Sequence, residues 1–198
     1  LLLDIPGIVV TSTLKPGEAT GTSDLLVMTL PGPTYTGNTV LENYGSRSTG
    51  KVVAGATVNF INPLKHGDIL TVNVRTSGAG MNYGRVSYES LLNGLGTRLG
   101  GAYSQLSYAL AEPFASLNAH GTAHVENVWA RHPLLRSGIG ATFSDLSLHW
   151  QVKYAGIQLR DHIDITSTKT DRNLENWTLS LDGKAQDGFL SGGVTSWN

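Results

Sequence analysis

Apolar and polar side chains alternate residue by residue through much of this chain, and this alternation restricts its fold more than any other feature. Between 146 and 154 the even positions are Leu, Leu, Trp, Val and Tyr, and the odd positions are Ser, His, Gln and Lys. The segments 52–60, 69–75 and 177–182 alternate in the same way. A period of two collects the apolar residues on one face of a β-strand, whereas a helix would scatter them around its axis. The sequence therefore predicts an all-β fold.

The spacing of the alternating segments predicts an antiparallel meander. Turns rich in glycine and polar residues, such as 62–68 and 77–80, separate them. We expect sequential antiparallel neighbours and no helix longer than two turns within 50–110. The strands are expected to begin near residues 35, 50, 68, 82, 101, 120, 142 and 172.

Two architectures share this pattern. Segments of about 10 alternating residues joined by turns are typical of transmembrane β-barrels. A soluble β-sandwich binding module, with a carbohydrate or protein ligand, also has one dry face and one wet face on each sheet. The alternatives differ in what covers the apolar positions, which meet a second sheet in a sandwich and face lipid in a barrel. Informative positions are Val52, Ala54, Val58, Leu146, Leu148 and Trp150.

The charge balance and composition exclude several classes of function. Fourteen Lys and Arg face fifteen Asp and Glu, a formal net charge of −1, so no basic surface for nucleic acid is predicted. The chain has no cysteine, which removes thiolate chemistry and cysteine metal sites. No apolar run reaches the roughly 18 residues of a spanning helix. Because residue 1 is Leu rather than Met, it is expected to be an internal position of a longer polypeptide.

Catalytic and metal-binding motifs are weak. His120, His124 and Glu126 have a spacing that could hold a metal on a helix. On a strand, however, positions four apart stand about 13 Å apart, too far for one zinc ion. The chain contains no Gly-x-Ser-x-Gly elbow, and the glycines at 94–100 miss the dinucleotide-binding spacing. We therefore predict that the chain is not an enzyme and has no cofactor, metal site or bound nucleotide.

An ordered set of short motifs resembles one family. The segments are Asp-Ile-Pro-Gly-Ile-Val-Val at 4–10, Leu-Lys-Pro-Gly at 14–17, Gly-Thr-Ser-Asp-Leu at 21–25, Glu-Asn-Tyr-Gly-Ser-Arg-Ser-Thr-Gly at 42–50, Asn-Pro-Leu with Gly-Asp at 62–68, and His-Pro-Leu-Leu-Arg-Ser at 132–137. In this order they resemble the TpsB transporters of two-partner secretion, the haemolysin activators of the ShlB, FhaC and HecB type. Glu42 stands where the family more often has Asp.

The resemblance implies a bacterial outer-membrane β-barrel with its N-terminal part in the periplasm. Residues 1–31 would be the last two strands of a POTRA domain, and residues 32–198 part of the transmembrane barrel. The implied function is the capture and export of a large cognate exoprotein, a haemolysin, adhesin or contact-dependent inhibition toxin. Its partners would be this secreted TpsA-type exoprotein and outer-membrane lipid.

The resemblance also suggests which residues to inspect. An unfolded exoprotein would add as a strand to the POTRA sheet, and the residues expected there are Ile8, Val9, Val10, Ser12, Leu14, Leu25, Val27 and Thr29. The barrel positions that match the family motifs are Asn43, Gly45, Arg47, Gly50 and Asp68. Charged residues on the polar side of barrel strands can set the potential of a pore. Asp4, Glu42, Arg47, Lys51 and Asp68 are candidates, although Asp68 could instead cap a turn and Arg47 could be merely solvated.

Overall fold

The structure, a computed structural model, describes residues 5–78, 80–137, 143–187 and 193–197. Two strands near its start, β1 (Ile8–Pro16) and β2 (Ser23–Pro31), form an antiparallel hairpin. The amide of Gly17 closes the hairpin turn by donating to the carbonyl of Thr22 at 3.0 Å. This hairpin is a sheet of its own. The assignment of residues 1–31 to a POTRA domain stays a prediction.

Nine further strands form one antiparallel sheet in which each strand pairs with its neighbours in sequence. They are β3 (Tyr35–Glu42), β4 (Val53–Ile61), β5 (Ile69–Thr76), β6 (Met81–Leu91), β7 (Arg98–Ala109), β8 (Ala119–Ser137), β9 (Phe143–Ile163), β10 (Thr168–Asp187) and β11 (Val194–Trp197). Within the described residues β3 and β11 are the two edges, and no pairing closes the sheet. The predicted all-β meander is confirmed.

The strand positions agree closely with the sequence pattern. Eight strands begin within a few residues of the expected starts, whereas β11 was not anticipated because it has only four residues. The helical structure among the described residues is one short 3₁₀ helix, Ala115–Leu117. The described part of 50–110 therefore contains no helix longer than two turns, as expected.

Three strands are far longer than those of ordinary sheets. β8, β9 and β10 have 19, 21 and 20 residues, against a usual length of about 5–6. Fully extended, 20 residues span about 65 Å, roughly twice the hydrocarbon thickness of a bilayer. Even when tilted, these strands extend beyond a membrane.

The apolar side chains of the sheet are not covered by a second layer. Among the described residues the buried apolar side chains are Val53, Ala119 and Ala155. Val58 keeps 38% of its surface exposed and Val52, just before β4, keeps 56%. Ala54 is exposed, and Leu146, Leu148 and Trp150 are half-exposed. A sandwich would bury these positions against another sheet, so the soluble sandwich is not favoured.

The uncovered apolar residues form a band that crosses the strands obliquely. One row of paired residues runs Val58, Val72, Val86, Tyr103, Glu126, Gly156, Glu175 from β4 to β10. The row begins inside the apolar band and ends outside it, because on β10 the apolar residues of this face are Trp177, Leu179 and Leu181. From Val58 to the level of Leu179 the band thus shifts by about four residues over six strand-to-strand steps, an inclination of about 25° for a rise of ~3.3 Å and a strand spacing of ~4.8 Å. The strands of a barrel are likewise inclined to its axis, typically by about 35–45°.

Candidate functional site

The face opposite the apolar band is polar along most of its height. Its central rows contain small uncharged side chains that bond to one another across strands. Thr71 donates to the Asn59 side chain at 2.8 Å, and the Asn73 amide donates to Thr57 at 2.5 Å. Ser104 and Asn127, which lie farther along the same face, are buried. We call this surface the polar face.

A carboxylate on β6 is the centre of an ion-pair cluster on the polar face. Glu89 accepts from Arg131 at 2.5 Å, from Arg98 at 3.4 Å and from the Trp129 indole at 2.8 Å. Arg98 also donates to the backbone carbonyl of Gly67 at 3.2 Å, which joins the cluster to the β4–β5 turn. Only 7% of Arg98 is exposed. A buried charge is tolerated only when it is paired, and Glu89 is the partner of Arg98. Through these bonds the cluster links β6, β7 and β8 with the turn.

A second cluster lies near the other end of the strands. Asp161 on β9 accepts from the Tyr108 hydroxyl and from Arg172, both at 2.8 Å. Tyr108 belongs to β7 and Arg172 to β10. The cluster therefore joins β7, β9 and β10 on the polar face, across the intervening β8.

In each cluster two side chains bond to each other across an intervening strand, and the residue of that strand between them is a glycine. Gly100 lies opposite Trp129, and the indole crosses it to reach Glu89. Gly121 likewise lies between Tyr108 and Asp161. A Cβ on Gly100 would overlap the indole ring, and one on Gly121 would come within 2.7 Å of Tyr108 and Asp161. Glycine in a strand often marks such a close approach.

The β4–β5 turn, 62–68, is held by the side chains at its two ends. The side-chain oxygen of Asn62 accepts from the backbone amide of Gly67 at 2.8 Å. The backbone amide of Asn62 donates to the backbone carbonyl of Asp68 at 2.7 Å. The Asp68 carboxylate accepts from the amides of Leu64 and His66 and from the Tyr88 hydroxyl, each at 3.1 Å. Burial would raise the pKa of Asp68, but these hydrogen bonds outweigh it and hold the pKa below its ordinary value. Asp68 has no exposed surface, so it caps the turn.

The motif at 42–50 forms the loop between β3 and β4. Gly45 donates to the carbonyl of Lys51 at 2.9 Å, and a Cβ at this position would collide with the backbone of Gly50. Gly50 has a φ of +108°, which disfavours any side chain. Ala111 donates to the carbonyl of Ser48 at 2.7 Å, which ties this loop to the β7–β8 loop. The two glycines therefore serve close backbone packing.

The five charged candidates for a pore do not form one site. Asp4 lies outside the described residues. Glu42 is half-buried at the end of β3 on the polar face, while Arg47 and Lys51 are exposed in the β3–β4 loop, as is Asn43. Asp68 is the turn cap at the opposite end of β4. Their assignment to a pore stays a prediction.

The hairpin places seven of its eight expected partner-binding residues on one face. Leu14 pairs with Leu25, Ser12 with Val27 and Val10 with Thr29, and Ile8 continues the same face. Val9 lies on the opposite face because it is out of step by one residue. Val9 is 50% exposed, Leu14 69% and Leu25 61%. Within the described residues neither outer edge of the hairpin is paired.

The segment 32–34 connects the hairpin to the sheet and is held by backbone hydrogen bonds at both of its ends. The amide of Gly32 donates to the carbonyl of Gly7 at 2.9 Å, and Ile61 donates to Thr34 at 2.8 Å. Gly7 has a φ of +81°, and a Cβ there would lie 3.1 Å from Asn62. The hairpin is thus attached beside the β4–β5 turn, at the Glu89 end of the sheet.

Clusters of three or more metal-ligating side chains do not occur in the part of the chain that the structure describes. His120 and His124 are four residues apart on β8, and His124 contacts the Tyr103 hydroxyl at 2.8 Å. The described residues also include no helix that is long and apolar enough to cross a membrane.

Comparison with known proteins identifies the relatives of this fold. Residues 21–181 match the family model described as haemolysin secretion/activation protein ShlB/FhaC/HecB. The chain belongs to this family. Members are outer-membrane β-barrel transporters with periplasmic POTRA domains, and the family is one of transporters rather than enzymes. The ShlB/FhaC/HecB membership therefore confirms the resemblance and places the chain in the outer membrane.

Individual relatives agree with the family assignment. The chain is 27% identical over 183 residues to the heme/hemopexin transporter protein HuxB of Haemophilus influenzae strain 86-028NP, covering 91% of this chain and 31% of HuxB. CdiB from Escherichia coli has a similar fold, with a TM-score of 0.71 at 20% identity over 94% of this chain and 35% of CdiB. CdiB from Acinetobacter baumannii also has a similar fold, with a TM-score of 0.59 at 18% identity. The match covers 98% of this chain and 38% of that CdiB. The chain spans about a third of the length of the curated relatives it matches.

Sequence reasoning did not anticipate the two ion-pair clusters. Glu89 and Arg131 are 42 residues apart in the chain, and nothing local relates them. The useful local signal was a glycine within an alternating segment, at Gly100 and again at Gly121. The partners on either side follow only from the strand register.

Proposed function

We propose that this chain forms part of the membrane wall and the adjoining periplasmic hairpin of a translocator that exports a large cognate exoprotein in two-partner secretion. The observation that carries the proposal is the two-sided sheet, with an uncovered oblique apolar band on one face and hydrogen-bonded polar side chains on the other. The ShlB/FhaC/HecB membership supports the same function.

The apolar band is suited to lipid and the polar face to a water-filled lumen. Lipid offers no hydrogen bonds, so a spanning sheet must satisfy its backbone groups between strands. Consecutive strands of this sheet do so along their paired lengths. One row at the middle of the polar face contains only small uncharged side chains, and an extended chain passes along it without being bound tightly. The row is Asn59, Thr71, Ser87, Ala102, Asn127 and Ala155. The ion-pair clusters near both ends stiffen the wall.

The hairpin β1–β2 is proposed as the site that first binds the exoprotein. Both of its outer edges offer backbone groups that lack a strand partner among the described residues. An extended segment of the exoprotein adds to such an edge through main-chain hydrogen bonds, while apolar residues of the hairpin select its side chains. The attachment beside the β4–β5 turn then delivers the segment to the Glu89 end of the wall.

The proposed transport uses neither catalysis nor a nucleotide. Asp161 and Glu89, the carboxylates of the two clusters, are paired with arginines and aromatic donors rather than set beside a nucleophile. With a net charge of −1, this chain has no excess of positive charge with which to bind the phosphates of a nucleic acid. The partners that we propose are the exoprotein, which the family membership supports, and outer-membrane lipid, which the uncovered apolar band supports.

A secretion assay tests the proposal. The full-length protein is produced in a Gram-negative host together with its cognate exoprotein, and exoprotein is measured in the medium. Ser12→Arg places a charge on the predicted binding face, and Thr13→Arg, one residue away on the opposite face, is the matched control. We expect Ser12→Arg to lower secretion at least several-fold at equal outer-membrane levels, with Thr13→Arg close to the parent. Secretion that does not depend on the protein would overturn the function, whereas equal secretion by both variants would overturn only the hairpin site.

A further inference from the structure

Two histidines from different strands face each other at the end of the sheet farthest from the hairpin. His120 on β8 pairs directly with His162 on β9. Their imidazole rings are stacked, with centroids 5.4 Å apart and planes inclined by only 5°. The pair arises from register, since the two residues are 42 positions apart in the chain and share no local motif.

The hydrogen bond made by His120 sets its tautomer. Nδ1 of His120 lies 3.2 Å from the backbone carbonyl of Asn118. A carbonyl oxygen only accepts, so Nδ1 carries the proton and Nε2 presents a lone pair. Metal-ligating histidines characteristically donate their other ring nitrogen to a carbonyl or carboxylate in this way. The hydrogen bond therefore leaves Nε2 of His120 as the nitrogen available to a metal ion.

The surroundings leave the pair accessible to water. His120 is exposed and His162 is half-exposed, next to the exposed β9–β10 turn at 164–167. In the same row the neighbours are Ala109 on β7 and Lys169 on β10. Asn118 and the Asp164 carboxylate are hydrogen-bonded, which joins the loop before β8 to the turn after β9. The position lies beyond the apolar band, outside the proposed membrane layer.

We propose that His120 and His162 form a two-histidine site for a divalent late transition-metal ion of the Zn²⁺ or Cu²⁺ class. Directly opposite side chains on paired strands have Cβ atoms about 5 Å apart. Metal–nitrogen bonds of about 2.0–2.1 Å bring two imidazole nitrogens to one ion after modest side-chain rotation. Imidazole suits zinc and copper, and the other coordination positions are filled by water. The ion clamps β8 to β9 at the rim.

Copper binding provides the test, and it does not depend on the transport function. The protein is purified in detergent micelles without a histidine tag and titrated with Cu²⁺ alone, and the bound ion is examined by electron paramagnetic resonance. We expect one copper with two equatorial imidazole nitrogens. His120→Ala or His162→Ala should weaken that site at least tenfold, and the matched variant His124→Ala should leave it unchanged.

Two results would overturn the site. One is a two-nitrogen copper signal that survives in the double variant His120→Ala/His162→Ala, since the ion would then be bound elsewhere. The other is a parent protein that shows no copper with two imidazole nitrogens. Circular dichroism of each variant verifies that the β-sheet signal is retained, so that a lost site is not confused with a lost fold.

Discussion

Asp68 gives the sharpest prediction about stability. Its carboxylate satisfies three donors, the amides of Leu64 and His66 and the hydroxyl of Tyr88, at a position with no exposed surface. Leaving a buried donor without a partner costs about 1–3 kcal/mol. Relaxation of the turn returns the two amides to water, so we expect Asp68→Ala to lower the free energy of unfolding by about 2–4 kcal/mol. Asp68→Asn keeps one acceptor oxygen and should cost about half as much.

The assay is equilibrium unfolding in urea, followed by tryptophan fluorescence of the protein reconstituted in lipid vesicles. Glu18→Ala, which removes an exposed carboxylate from the β1–β2 turn, is the matched control and should stay within about 0.5 kcal/mol of the parent. An Asp68→Ala variant as stable as Glu18→Ala would refute the capping argument.

The lowered pKa of Asp68 adds a pH dependence with a definite sign. Because the folded pKa lies below the unfolded value of about 3.9, the stabilisation is present above that pH and is lost as the pH falls through the folded pKa. Unfolding measured between about pH 5 and pH 2 should therefore show a smaller loss of stability for Asp68→Asn than for the parent protein. Parallel pH profiles for the two proteins would contradict this linkage.

Further predictions concern the Glu89 cluster. Gly100→Val should displace the Trp129 indole from Glu89 and lower the free energy of unfolding by about 1–3 kcal/mol. The tryptophan emission should shift as well, and an unchanged spectrum and stability would disprove the contact. Arg98→Met should cost about 2–3 kcal/mol in the same unfolding assay, because it removes the buried hydrogen bonds to Glu89 and to the Gly67 carbonyl while Arg131 still pairs with Glu89. Arg131→Met removes a partner that is 44% exposed and should cost about 1 kcal/mol or less; equal losses for the two arginine variants would contradict this ranking.

The face of each strand could be predicted from the sequence, whereas contacts between strands could not. Alternation assigned Val58 and Leu148 to the apolar face without knowledge of any partner. It could not relate Glu89 to Arg131 or His120 to His162, because a period of two fixes orientation and leaves register open. Register depends on pairings between residues far apart in the chain, and only the assembled sheet supplies them.

Turn chemistry was predicted only in part. Asp68 had two interpretations from the sequence, a pore charge or a turn cap, and its hydrogen bonds show the cap. Val9 was expected among the eight partner-binding residues of the hairpin, and the register places it on the face opposite the other seven. The binding role of all eight residues stays a prediction. The strand β11 was missed because four residues are too few to show alternation.

The central claim is that an oblique apolar band of this sheet lies in the membrane, and the depth of spin labels tests it most directly. Val58 and Glu175 belong to one row of paired residues, while Leu179 lies farther along β10. Single cysteines at these three positions are spin-labelled in lipid vesicles, and accessibility to oxygen and to a polar nickel complex is compared. The account predicts that labels at 58 and 179 are lipid-exposed at similar depths and that the label at 175 is in water. Equal depths at 58 and 175, or polar accessibility at both 58 and 179, would contradict it.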